Sequence, residues 1–512
     1  MRSTSGTARG CDVSRFLLES LVDRMDGGDG NVLSRPGAWP DVGGVCADSR
    51  RVKPGDVFVA VTGLRDDGKK WIDDACAAGA QALVCEGEYS ESLLPVVRVR
   101  DARRALGRAA SFVHGDPSEH LRVFAVTGTN GKTTVAWILR HLLSKGGIRA
   151  GFLGTVGYDV GGGLEPAALT TPDAPSLQRY LARMRDCDLD AAVMEASSHA
   201  LDLHRLEGTR VEIGIFTNLT RDHLDYHGSM EAYRDAKLAL GQITRRAVVF
   251  DAGDAAWDSL VELAPEIEIC RYQVGEGCVQ SPAVQVRVIR EDLGGTQVEL
   301  HFPNGEVVQG HVPLPGIFNV SNAAAAASAA WIAGISAEII GEVLGSVPAI
   351  PGRLERVEPC SAGLPMVFVD FAHTPDAVER VTSEVRRLTS GGLTVVFGCG
   401  GDRDRGKRPL MARAATDHAD RAIFTNDNPR NEDPQQITDD ALAGLSRRCE
   451  VELDRARAIE KAIGGAGDGD VVLILGKGHE EGQIVGNEKR PFLDRRVVAE
   501  ILAQRAGRGG SK

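Results

Sequence analysis

Short apolar runs separated by polar, amphipathic stretches recur along most of the chain. After an amphipathic opening, DVFVAV at 56–61, QALVC at 81–85 and PVVRV at 95–99 predict short strands with helices between them. This α/β unit ends near His114-Gly115-Asp116-Pro117. A second block opens with RVFAV at 122–126, passes a glycine loop and enters a helix predicted from Lys132 to about Leu143. Strands predicted at 191–194, 212–216 and 247–250 then give the signature of a mostly parallel sheet with crossover helices. Between Val284 and Val312 the pattern changes to alternating short strands, with Pro303-Asn304-Gly305 as a hairpin turn, and an alanine-rich helix is predicted from Asn322 to Ala333. After Ile350-Pro351-Gly352 the order strand, polar loop, helix repeats at MVFVDFAH (from 366), LTVVFGCGG (393), RAIFTNDNP (421) and VVLILGKGH (471). Each polar cluster follows the carboxyl end of an apolar strand, where open α/β sheets bind ligands. No fixed-period repeat is present. The expected fold is α/β in three domains: a small N-terminal α/β domain (1–118), a central P-loop mononucleotide-binding domain with a mostly parallel sheet (119–350), and a C-terminal Rossmann-like domain (351–512).

Composition narrows the class. Hydrophobic residues make up 43% and charged residues 25% of the 512, close to the soluble globular average, while 60 glycines exceed it and point to tight turns or phosphate-cradling loops. With 59 basic against 71 acidic residues the net charge is -12, which argues against a nucleic-acid or membrane-surface binder and leaves room for a local basic pocket. Ten cysteines include no C-x-x-C pair, so neither a zinc site nor a dithiol motif is signalled and reduced thiols are expected. The start of the chain lacks the apolar region of a secretory signal. The uncharged stretch Val312 to Ala337 is broken by Pro313, Pro315, Asn319 and Asn322 and does not read as a membrane span. A cytoplasmic protein, monomeric and without membrane or nucleic-acid partners, is the expectation.

The chemistry gathers in a few places. Residues 127–134 read TGTNGKTT between a strand and a helix. Backbone N–H groups at a helix start suit phosphate oxygens, Lys132 would reach the β- and γ-phosphates, and the Thr133 hydroxyl would face Mg²⁺. The match to G-x-x-x-x-G-K-[ST] is incomplete, since Val126 stands at its first position. Glu195 ends the AAVM strand and His223 follows another, so both fall on the sheet edge that carries the glycine loop, where a carboxylate and an imidazole complete a metal site. Lys237 lies one helical turn after Tyr233 and, taken alone, reads as a solvated helix lysine. No Ser/His/Asp or Cys/His nucleophile arrangement is recognisable.

Taken together, TGTNGKTT, MEASSH, FTNLTRDHLDYHG, EAYRDAK, PLPGIFNVSNAAAA, IPGRLERV, DFAHTPDA, GCGGDRDRGKRP, DNPR and GKGHE resemble the Mur ligases in order and spacing, from about Asp48 to Arg496. Within that family they are most similar to the member that adds the third residue of the peptidoglycan stem peptide. The resemblance implies ATP-dependent formation of an amide through an acyl phosphate. It also implies a UDP-substrate domain, an ATP domain and an amino-acid domain in that order.

The resemblance further assigns roles. Gly128, Thr129, Asn130, Gly131, Lys132, Thr133, Thr134, Asn322, Arg353 and Asp370 would contact ATP. Thr133, Glu195, His223 and Lys237 would hold Mg²⁺, Lys237 as a carbamate (N6-carboxylysine) whose added CO₂ turns a repelling cation into a hard oxygen ligand. Lys132, Glu195, His223 and Lys237 would thus form the catalytic set. Ser49, Thr170, Thr171, Ser197 and Arg205 would bind the UDP-muramoyl-dipeptide. Arg403, Asp427, Asn428, Pro429, Arg430, Gly476 and Glu480 would bind the incoming amino acid. Arg430 favours meso-diaminopimelate, whose far end carries a carboxylate as well as an ammonium, because a guanidinium binds carboxylate bidentately. A lysine-adding ligase, a folylpolyglutamate synthetase and a non-enzymatic nucleotide switch are the competing readings. Arg430 argues against the first and Thr133-Thr134 against the second; a switch would need neither Lys237 nor the DNPR pocket. Phe371 stands where the family often has Tyr, Lys69 where it often has His, and Leu169 and Leu203 where some relatives have Asn and Gln.

Overall fold

Three parallel-strand sheets carry the chain, and their carboxyl edges decide where the chemistry sits. The computed structural model describes residues 16–63, 66–89, 93–263, 266–275, 283–359 and 363–509. The first fifteen positions, which include most of the segment read for a secretion signal, lie outside the described residues.

The first sheet has five strands, β1 (Val32–Ser34), β2 (Gly44–Cys46), β3 (Asp56–Ala60), β4 (Ala82–Glu86) and β5 (Val96–Val99), in the order β1-β5-β4-β3-β2. Helices α1 (Leu18–Asp26) and α2 (Ala102–Val113) cover one face, with Leu21, Val22, Ala105 and Ala109 buried against Val57, Val84 and Val97. Asp101 caps α2, accepting from the N–H groups of Arg103 and Arg104.

The second sheet has eleven strands. They are β6 (Arg122–Thr127), β7 (Ala150–Gly154), β8 (Gly157–Asp159), β9 (Leu164–Glu165), β10 (Ala191–Glu195), β11 (Val211–Phe216), β12 (Thr244–Asp251), β13 (Glu268–Val274), β14 (Ala283–Asp292), β15 (Gly295–His301) and β16 (Val307–Val312). Their order is β9-β8-β7-β10-β6-β11-β12-β13-β14-β15-β16, parallel from β7 through β14 and antiparallel at both ends. The long apolar runs follow from burial on both faces: along β6, Phe124 and Val126 face one core while Val123 and Ala125 face the other. Helix α3 (Lys132–Lys145) and helix α4 (Met230–Ile243) lie against the sheet. The alanine-rich helix α5 runs from Ile317 to Ile332, beginning five residues before the predicted Asn322, because Gly316 supplies the turn ahead of Ile317. Its small buried side chains, Ala323 through Ala327, let it lie close against α3 and β13.

The third sheet has six strands. They are β17 (Glu355–Arg356), β18 (Met366–Asp370), β19 (Leu393–Phe397), β20 (Arg421–Phe424), β21 (Glu450–Val451) and β22 (Val471–Leu475), in the order β17-β18-β22-β19-β20-β21. All neighbours but β17 and β18 run parallel. Helices α6 (Pro375–Leu388) and α7 (Lys407–Asp417) pack together over the face that includes Phe397 and Phe424. No helix among the described residues is long and apolar enough to cross a membrane.

Candidate active site

Register on the central sheet brings the sequence motifs to one edge. Glu195, the last residue of β10, pairs with Val126 of β6, and Phe216, the last of β11, pairs with Thr127. The loop 128–131 therefore leaves β6 between the ends of β10 and β11. The segment after β11 fixes its shape: Thr129 N–H donates to Asn218 O (2.7 Å), Asn130 N–H to Asn218 Oδ1 (3.0 Å), and the Thr217 hydroxyl to Asn130 O (2.6 Å). Gly131 adopts φ 88°, and a Cβ there would collide with the Asn322 side chain. Gly131→Ala is accordingly expected to weaken binding of a non-hydrolysable nucleoside triphosphate by about tenfold, near 1.4 kcal/mol, in a direct titration.

A cleft of about 850 Å³ opens over this loop, within the usual range for a small-molecule site. Its walls include Asn130, Lys132, Glu195, Asn322, Arg353 and Asp370. Lys132 Nζ donates to the carbonyls of Gly128 and Thr129, both at 2.9 Å. Burial depresses its pKa, with Glu195 and Asp222 opposing that shift. Arg353 Nη2 donates to the Thr133 hydroxyl at 3.0 Å. Asp370 is tied down as well as cleft-facing: its two oxygens accept the N–H groups of Leu354 (2.6 Å) and Ala372 (2.7 Å).

The proposed cation ligands divide into two pairs. The buried Glu195 carboxylate accepts from the hydroxyls of Thr133 and Thr155, each at 3.1 Å, and from Thr155 N–H at 2.7 Å. This set of hard oxygens fits Mg²⁺. Burial pushes the His223 pKa down to about 4 against the pull of Asp222, leaving a neutral imidazole with a free lone pair. Lys237 is 1% exposed, contrary to its appearance as a surface helix lysine. Its Nζ donates to Gly128 O at 2.7 Å and lies 4.4 Å from the centre of the Tyr233 ring. Among the described residues no three His, Cys, Asp or Glu side chains converge as a ready-made metal cluster. The acidic group already beside His223 is Asp222, whose carboxylate lies 3.4 Å from His223 Nε2, and carbamylation of Lys237 would add another.

Of the residues assigned to the sugar-nucleotide substrate, Thr170, Thr171, Ser197 and Arg205 come together. Thr171 Oγ1 donates to Glu195 O (2.8 Å), Ser197 N–H donates to Thr171 Oγ1 (3.1 Å), Arg205 Nη1 donates to Thr171 O (2.9 Å), and the Thr155 and Thr170 hydroxyls are 3.2 Å apart. Ser49 stands apart from this group, in a single helical turn (Ser49–Arg51) of the N-terminal unit, and does not line the cleft.

The last sheet gathers the other assigned group. Asn428 Nδ2 donates to Glu480 Oε2 (3.0 Å), and Gln483 Nε2 donates to Asp427 O (2.9 Å). Gly401 passes so close to Pro429 O that a Cβ could not be accommodated, and Gly400 makes room for Arg403 and Arg430. Arg430 has φ 52°, a strained value for this residue, held by its N–H to Ile484 O (3.0 Å) and by Gly486 N–H to Arg430 O (2.6 Å). Burial and then the neighbouring Arg403 lower its pKa. Asp427, Glu480 and Asp402 oppose that shift.

Sequence reasoning overlooked three groups. His479 Nε2 donates to Thr155 O at 3.1 Å, Asp376 accepts from Asn130 Nδ2 at 2.9 Å, and Lys477, wholly buried, reaches Asn428 and Glu480. All three lie inside quoted motifs, the lysine and histidine in GKGHE and the aspartate in DFAHTPDA, so each carried a signal.

Comparison with known proteins bears on the family and the fold. Profiles described as Mur ligase family, catalytic domain, Mur ligase middle domain, and Mur ligase, glutamate ligase domain match residues 41–114, 126–330 and 352–478. The chain is 42% identical over 485 residues to the UDP-N-acetylmuramoyl-L-alanyl-D-glutamate–2,6-diaminopimelate ligase of Geobacillus kaustophilus, covering 92% of this chain and 98% of that one. It is 41% identical over 518 residues to the ligase of the same name from Alkalilimnicola ehrlichii, covering 96% and 99%. A solved structure of a ligase with that name superposes with TM-score 0.67 at 34% identity, covering 92% of this chain and 97% of that one. The MurF ligase of Thermotoga maritima in complex with ADP shares the fold, with TM-score 0.58 at 19% identity over 90% and 96% of the two chains.

Proposed function

The chain belongs to the Mur ligase family, and from that premise we propose that it joins meso-2,6-diaminopimelate to UDP-N-acetylmuramoyl-L-alanyl-D-glutamate, using ATP, in peptidoglycan precursor synthesis. One observation carries the reading. The turn Gly476–Glu480 places Glu480 beside Asn428 in the amino-acid pocket and, one residue earlier, places His479 on Thr155, whose hydroxyl donates to the buried Glu195 at the phosphate cradle. The amino-acid pocket and the phosphate cradle are thus joined through this one turn.

The γ-carboxylate oxygen of the D-glutamyl residue attacks the γ-phosphorus of ATP, and the bond to the β-phosphate oxygen breaks to release ADP. The amine nitrogen of diaminopimelate then attacks the acyl phosphate carbon, loses a proton, and phosphate leaves. Loop 128–131 with Lys132 orients the phosphates and supplies charge to the transferring group. Thr133, Glu195, His223 and carbamylated Lys237 would hold magnesium, which when bound adds positive charge at the phosphate oxygens. Thr171, Ser197 and Arg205 position the dipeptide. Asn322, Arg353 and Asp370 border the nucleotide, and Ser49 is left for the uridine end. The three units 1–118, 119–350 and 351–512 divide these tasks, and nucleotide-linked substrates place the reaction in the cytoplasm.

The test is a phosphate-release assay with ATP, Mg²⁺ and the UDP-muramoyl-dipeptide, run separately with meso-diaminopimelate and L-lysine, with product masses recorded. Tripeptide formation with diaminopimelate, and at least ~100-fold lower kcat/KM with lysine, is expected. Equal turnover with lysine sinks the diaminopimelate reading, and no turnover with either sinks the ligase reading.

A further inference from the structure

Lys477 has 0% exposure, and among the described residues its ammonium donates to two side chains only: Asn428 Oδ1 at 3.0 Å and Glu480 Oε2 at 2.9 Å. A buried ammonium is costly unless paired, so its placement here is specific rather than incidental. Asn428 is held at both ends. Its Oδ1 also accepts the N–H of Ile484 at 2.9 Å, which can only donate, so the amide orientation is fixed and Nδ2 is turned toward Glu480 Oε2. Glu480 Oε2 thereby accepts two hydrogen bonds, while no described residue donates to Oε1. The Glu480 side chain remains 37% exposed. Burial alone would raise its pKa, but the Lys477 charge and the hydrogen bonds from Lys477 and Asn428 hold it below the ordinary value and keep it a carboxylate.

We propose that Lys477 is a positioning residue for the incoming amino acid: by locking Asn428 and occupying one oxygen of Glu480, it presents the other oxygen as the acceptor for a ligand ammonium. The inference rests on the amino-acid pocket proposed above. It also gives the pocket a device against bare cations. Lys477 offsets the Glu480 charge, so an amino acid whose far end carries only an ammonium gains little there, whereas one with an adjoining carboxylate is held by Arg430 too.

The experiment uses the full chain carrying Lys477→Met and Lys477→Gln, with KM and kcat measured for each of the three substrates and thermal melting recorded. Lys477→Met is expected to raise KM for meso-diaminopimelate at least ~10-fold. KM for ATP and for the UDP-dipeptide should stay within ~2-fold, and Lys477→Gln, which keeps a donor, should fall between Met and the native protein. Because Lys477 acts through Asn428 as well as directly on Glu480, Lys477→Met added to Asn428→Leu should cost less than the product of the two single effects. An unchanged diaminopimelate KM, full additivity with Asn428→Leu, a joint rise of all three KM values, or failure of both variants to fold each overturns the proposal. An inactive native protein would instead refute the ligase reading itself.

Discussion

Replacing Lys237 with alanine is expected to lower kcat about 10³-fold while leaving KM for the UDP-dipeptide nearly unchanged. The expectation follows from an uncommon arrangement. The carbonyl of Gly128 accepts from both Lys237 Nζ (2.7 Å) and Lys132 Nζ (2.9 Å), so two ammonium groups would crowd one oxygen inside the protein. Burial first, and then the Lys132 charge, hold the Lys237 pKa well below the usual lysine value, with Asp222 opposing. The sign matters: a depressed pKa raises the share of neutral amine, and only the neutral amine adds CO₂. The nitrogen–carbon bond forms, one proton leaves, and the product is an anion beside Lys132 in place of a second cation. We propose that this carbamate joins Glu195 and His223 as a further oxygen donor for the metal. Native mass measurement should show the mass of one bound CO₂, lost on acidification. Short carboxylates such as formate should restore part of the alanine variant's rate. A Lys237→Ala enzyme within ~10-fold of the native rate, with no added anion, would falsify the carbamate proposal.

What the sequence disclosed, and what it withheld, follows from how local each cause is. Glu195 and His223 were readable as edge residues because each terminates or follows an apolar strand, and strand ends in a parallel sheet share an edge. The burial of Lys237 was not readable, since one lysine on an amphipathic helix looks the same whether it meets water or the Gly128 carbonyl 109 positions earlier. Thr155 belongs to no motif, and its place on Glu195 depends on β7 pairing beside β10. Asp376 meets Asn130 only because α6 of the last unit lies over the phosphate loop of the central one. The start of α5 shifted for a different reason: Ile317 and Phe318 are apolar and alanine-free, yet the turn at Gly316 admits them to the helix. Family resemblance assigned roles to Asn428 and Glu480 but not to the buried lysine that joins them, Lys477.

Removing the Arg430 guanidinium should have the second large effect, and it should fall on substrate choice. Arg430 Nη1 donates to Gly401 O at 2.7 Å, which anchors one edge of the planar group and leaves other N–H donors to meet a carboxylate in parallel. Burial and then the repulsion of Arg403 lower the Arg430 pKa, and a bound carboxylate would relieve that repulsion. Truncating one partner of such a pair costs about 2–5 kcal/mol, so kcat/KM for meso-diaminopimelate should fall at least ~30-fold and KM should carry most of the loss. L-lysine has no distal carboxylate to lose, so its kcat/KM should change by less than ~3-fold and the ratio between the two substrates should collapse. The backbone supplies the control. At φ 52° alanine would inherit the strain that Arg430 bears, whereas glycine would not. Arg430→Gly therefore separates loss of the guanidinium from loss of loop geometry, and Arg430→Lys, with one point charge in place of a fork, should fall between it and the native enzyme. If Arg430→Gly and Arg430→Ala both keep the native ratio of diaminopimelate to lysine turnover, the guanidinium does not read the distal carboxylate, and Arg403 becomes the residue to replace next.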